Sequence, residues 1–80
     1  MIENELRLRR VLADTLGVSP NDVGNDTAMD VVDGWDSLRH LKIVLALEAE
    51  FEVSFDETVA LEITSVPKIR SALMDLGHGF

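Results

Sequence analysis

Apolar residues recur at spacings of three and four along the first part of the chain. Ile2, Leu6, Leu8, Val11, Leu12 and Leu16, with Thr15 among them, fall near one face. That is the period of an amphipathic helix and predicts one over residues 3–16. Glu3 and Glu5 occupy its first turn, where the helix dipole favours acids, and Gly17 offers a C-terminal stop. The pattern then breaks. From Gly17 to Asp36 the chain is rich in Gly, Pro, Asn and Asp, which predicts a long loop with one short helical turn at Ser19-Pro20-Asn21-Asp22-Val23. Val18, Val23, Met29, Val31, Val32 and Trp35 are expected to pin this loop to the core.

Helical periodicity returns at Ser37 and runs to Phe51. Leu38, Leu41, Val44, Leu45, Glu48 and Phe51 lie near one stripe, widened by Ile43 and Leu47. This second helix is almost wholly apolar from Leu41 to Leu47, so it is expected to be the most buried element. Asp36 is its expected N-cap. The alternation from Phe51 to Phe55 also fits a strand, but a lone strand has no partner here. Asp56 to Leu61 predicts a short third helix. Thr64 or Ser65 then caps a last helix, with Pro67 in its first turn and Val66, Ile69, Leu73 and Leu76 on its buried stripe. Gly77 ends it. The tail His78-Gly79-Phe80 is expected to fray, and Met29 and Met74 read as gap-filling core. The predicted fold is therefore all-α: a small bundle of three principal helices plus one short helix, with a long loop between helices one and two.

Eighty residues, 46% of them hydrophobic, make a single domain with a small core. No apolar run is long enough to span a membrane. The start, Met1-Ile2-Glu3-Asn4-Glu5, has neither the basic residues nor the apolar stretch of a signal peptide. Without cysteine there is no disulfide framework or thiolate site, and a cytoplasmic location is the expectation. The net charge of −8 argues against binding nucleic acid or an anionic membrane. Between Asp14 and Glu62 the only bases are Arg39 and Lys42. This acidic middle either steers basic partners or simply solvates the fold, and charge alone leaves both open.

Two kinds of chemistry fail on spacing. Asp36, Ser37 and His40 contain the residue types of a hydrolase triad. Adjacent positions at a helix start, however, cannot let a base bond the hydroxyl while the acid orients that base from behind. Asp22, Asp26, Asp30, Asp33 and Asp36 are dense, but with Gly34 at the sixth position of a calcium loop Met29 falls at the first and Val31 at the third, where acids are needed. His40 and His78 lack metal-ligand spacing, so no metal site is expected. His40 reads as an exposed helix residue or partner contact, and His78 as a disordered tail residue.

The most informative segment is Gly34-Trp35-Asp36-Ser37-Leu38. It places a hydroxyl at a helix start, where unpaired N–H groups and the dipole stabilise a phosphate ester. The plain alternative is a serine that merely caps. The segment resembles the Asp-Ser-Leu phosphopantetheine attachment motif of acyl and peptidyl carrier proteins. Phe51-Glu52-Val53-Ser54-Phe55-Asp56-Glu57 and Glu62-Ile63-Thr64-Ser65-Val66 resemble the family's later segments, so the likeness covers nearly the whole chain. It implies a freestanding, monomeric carrier that is not itself an enzyme. Ser37 would bear 4′-phosphopantetheine, received from coenzyme A through a phosphopantetheinyl transferase, with Asp36 and Leu38 flanking it. The arm would hold acyl or aminoacyl groups as thioesters for loading and transferring enzymes. By the same resemblance Trp35, Leu38, Arg39, Lys42 and Glu48 would contact partners, and Leu41, Val44, Leu45 and Ile63 would line a cargo cavity. Trp35 also reads as an aromatic anchor docking the loop on the core. One departure stands out: Arg39, His40 and Lys42 open the second helix where fatty-acid carriers are acidic. That favours a specialised pathway, such as polyketide, nonribosomal-peptide or lipid-modification assembly. The reading from a different class is a small acidic helical adaptor with Ser37 unmodified.

Overall fold

The computed structural model describes residues 2–80, with Ile2 by its backbone alone; the expected place of the Ile2 side chain on the first stripe lies outside the described residues. The architecture is all-helical, with α1 (Ile2–Leu16), α2 (Ser37–Phe51), α3 (Glu57–Glu62) and α4 (Val66–Asp75), and a 3₁₀ turn at Pro20–Asp22. The expected bundle of three main helices and one short one is the observed fold, and 51–55 forms no strand.

Local chemistry sets the boundaries. Asp36, Asp56 and Ser65 each accept a hydrogen bond from the backbone N–H three residues on, capping α2, α3 and α4. Gly17 closes α1 with φ +71°, and its N–H and that of Val18 both turn back to the Ala13 carbonyl. Gly77 does the same work beyond α4 at φ +97°. At the end of α2 a glutamate occupies the left-handed position instead: Glu52 has φ 54°.

The core joins Leu8 and Leu12 of α1, Ile43 and Leu47 of α2 and Ile69 and Leu73 of α4, with Trp35, Val23 and Ile63 filling between them. The long loop is stitched down more firmly than its composition suggested. Met29 N–H bonds the Thr64 carbonyl and Val66 N–H bonds the Thr27 carbonyl, so the loop forms a short bridge with the start of α4. Val23 and Trp35 pin it as expected, with Met29 and Val32 half-buried, but Val18 and Val31 are exposed.

Several apolar positions face out instead of in. Leu6, Met74 and Leu76 are about half exposed, correcting their expected places in the core. In α2 the buried stripe is His40, Ile43, Val44, Leu47 and Phe51. Leu41 and Leu45, expected to be inside, are more than half exposed, as is Leu38, the expected partner contact. The tail is also not frayed. His78 N–H bonds the Leu73 carbonyl, Asn4 donates to the Gly79 carbonyl, and the His78 and Phe80 rings rest on Phe51, 5.3 and 6.2 Å between centroids. Arg7 completes this corner, its guanidinium 4.4 Å over the Phe51 ring and its Nε donating to Glu50.

Candidate functional site

Residues 35–38 turn in different directions. Trp35 points inward and is 2% exposed. Asp36 is extended at φ −97° and ψ −175°, and its Oδ1 takes the Arg39 N–H at 2.8 Å. Ser37 is the first residue of α2, with its side chain in solvent, and Leu38 beside it is 62% exposed. The capping role, the plain account of the serine, belongs to Asp36. That leaves a solvent-facing hydroxyl at the positive end of a fifteen-residue helix.

His40 is not a surface residue. It is 9% exposed and stacks on Trp35 with centroids 6.0 Å apart. The Trp35 indole N–H donates to His40 Nδ1 at 3.0 Å. An indole nitrogen can only donate, so Nδ1 carries no proton and the ring is the neutral Nε2–H tautomer. That N–H donates to the Ala60 carbonyl of α3 at 2.7 Å. Both imidazole nitrogens are therefore engaged away from Ser37, and Asp36 is engaged by the backbone. The triad that the residue types suggested has no geometry here. Among the described residues, no three Asp, Glu or His side chains group as a metal site would.

The basic residues of the first α2 turns also part company. Arg39 is half-buried, and its Nη1 donates to the Thr15 carbonyl in the last turn of α1. There it satisfies an orphan carbonyl at the negative end of that helix. Lys42 is exposed. Glu48 lies eleven residues beyond Ser37, about 16 Å along the axis. Its Oε2 accepts the Phe55 N–H at 2.8 Å and fixes the turn between α2 and α3. Of the expected partner residues, Leu38 and Lys42 are thus free on the surface beside Ser37. Of the two readings of Trp35 its burial fits the core anchor and not the partner contact, while Arg39 and Glu48 hold the fold together.

A groove runs from Ser37 between α2 and α3, lined by Ser37, His40, Leu41 and Val44 on one side and Glu57, Ala60 and Leu61 on the other. Its volume is about 200 Å³ and its walls are almost entirely apolar. Leu41 and Val44 were expected near the cargo and lie here. Leu45 faces solvent, and Ile63 is buried in the core. Sequence reasoning missed His40, Ala60 and Leu61. The spacing of Ser37, His40, Leu41 and Val44 already marked one helix face, but nothing local says which segment covers it.

The family model for the phosphopantetheine attachment site matches residues 6–73. The chain belongs to that family. It is a carrier domain of the acyl and peptidyl carrier class, whose members bear a covalently attached 4′-phosphopantetheine and interact with transferases and biosynthetic enzymes. No helix of this carrier domain is long and apolar enough to cross a membrane. The match takes in α2, α3 and most of α4 together with the long loop.

Proposed function

We propose that Ser37 is the residue that carries the arm, and that the chain serves as an acyl or aminoacyl carrier in a specialised biosynthetic pathway. The observation that carries this reading is the solvent-facing Ser37 hydroxyl at the first position of α2, uncommitted to capping, beside an apolar groove. A separate transferase would direct the serine oxygen onto the phosphorus nearer the pantetheine of coenzyme A. Adenosine 3′,5′-bisphosphate leaves and the hydroxyl proton is lost. The new phosphodiester sits where helix N–H groups favour negative charge. The arm supplies a thiol that holds cargo as a thioester, and the tether raises the cargo's effective concentration at each partner.

Loading and transferring enzymes would dock on the outward face of α2. Leu38, Leu41 and Leu45 form an exposed apolar row there, Lys42 gives the only exposed positive charge in its first two turns, and Leu61 of α3 extends the patch. The acid-free start of α2 supports a pathway other than housekeeping fatty-acid synthesis. The test is intact mass after incubation with coenzyme A and a promiscuous transferase. The expected result is addition of one phosphopantetheine to the wild type and none to Ser37→Ala. Loading of the alanine variant would move the site elsewhere, and no loading of either would favour an unmodified adaptor.

A further inference from the structure

α3 is unusual among the helices of this chain. Only six residues long, it has none fully buried, and Leu61 at its C-terminal end is 72% exposed. Space lies on both sides of it. The 200 Å³ groove separates it from α2, and a cleft of about 350 Å³ separates it from α4, lined by Val59, Glu62, Ile63, Lys68, Ser71, Ala72 and Asp75. Its two ends are held. Phe55 N–H bonds Glu48 just before the helix, and the buried Ile63 follows it. Between these anchors, among the described residues, the one polar tie from α3 to another element is His40 Nε2–H to the Ala60 carbonyl. That carbonyl has no helical partner, because Thr64 N–H turns back to Glu62 instead.

We propose that His40 is a latch. While its Nε2–H holds Ala60, α3 stays against α2 and the groove beside Ser37 stays narrow. When that bond opens, α3 rolls outward between its anchored ends and the groove joins the cleft on its far side. The same imidazole accepts the Trp35 N–H at 3.0 Å, two residues before Ser37, so the latch ties the site's loop to the element that gates the groove. An apolar chain too large for the groove must break the Ala60 bond to enter. A short or polar cargo leaves it closed. The cargo half of this inference rests on the carrier reading, but the latch itself does not.

The unmodified protein tests the latch. His40→Phe keeps a ring of similar size and loses both bonds, while Trp35→Phe loses only the indole donor. Amide exchange in α3 is expected to quicken about tenfold in His40→Phe, the scale of losing one hydrogen bond. The Leu8 and Leu12 amides of α1 should change far less, and Trp35→Phe should quicken α3 less than His40→Phe. An unchanged α3, or equal quickening in α1, overturns the latch. Should His40→Phe not fold, ¹⁵N spectra of the wild-type imidazole decide: the Nε2–H tautomer with a slowly exchanging ring proton supports it, and an Nδ1–H tautomer or a rapidly exchanging ring proton overturns it. Loading the arm with a short and then a long acyl group tests the purpose. The long group should quicken α3 exchange in the wild type and add little in His40→Phe. An α3 that ignores the long group removes the gating role. Failure to load at all would instead sink the carrier reading and leave the exchange result on unmodified protein standing.

Discussion

At the scale of single residues, two neighbours divide two roles. Asp36 caps α2 and Ser37 does not. Asp36→Ala is therefore expected to lower stability by about 1 kcal/mol. Ser37→Ala should leave the denaturation midpoint nearly unmoved, so any loss of function there is chemical. Thermal or urea unfolding of the two variants separates these outcomes. Glu52 offers the opposite opportunity. Its φ of 54° places a side-chain-bearing residue where glycine is at ease. Glu52→Gly is expected to raise stability by about 0.5–1 kcal/mol, readable as a higher urea midpoint.

At the scale of elements, the first turns of α2 join two helices at one end. Arg39 reaches the Thr15 carbonyl of α1 while Lys42 stays in solvent. Charge reversal should split them. Arg39→Glu loses a charged donor and is expected to cost about 1.5–3 kcal/mol. Lys42→Glu should change stability by less than about 0.5 kcal/mol but slow productive encounters with an acidic partner surface, measured as the rate of transfer to or from that enzyme. These residues also mark how far the sequence could be read. Helix ends were legible because caps such as Asp36 and Ser65 act over three residues. The face that α2 buries was not. A helix apolar on two sides carries no local sign of which side meets a neighbour, so Leu41 and Leu45 read as core while His40 read as surface. Ser37 was legible as a candidate because its signal is local. The groove opposite it was missed because Ala60 and Leu61 arrive through tertiary packing.

Across the whole molecule, a second kind of tie links distant segments. Arg70 of α4 reaches Glu5 in the first turn of α1 through two hydrogen bonds, at 3.0 and 2.5 Å, and Asn25 in the loop at 2.9 Å. The Arg70 guanidinium holds the Glu5 carboxyl below its ordinary value of 4.5, against the partial burial that would raise it. A carboxyl whose folded value is depressed stabilises the fold above its unfolded value, and that contribution is lost as pH falls through the folded one. Wild type should therefore exceed Glu5→Gln in stability at neutral pH, and the two unfolding curves should converge as the pH drops below about 4.5. A constant gap into acid would show that Glu5 acts through packing alone. The docked tail belongs to this scale too: sequence pattern suggested a frayed end because His78 and Phe80 find Phe51 only once the bundle is closed.

Trp35 has one more consequence. It is the only tryptophan, and the chain has no tyrosine. Ultraviolet absorption near 280 nm and the resulting emission therefore come from one indole, buried two residues from Ser37 and bonded to His40. The protein thus carries its own optical reporter directly behind His40, which lines the groove beside Ser37, and a disturbance of that hydrogen bond is expected to change its emission without any label.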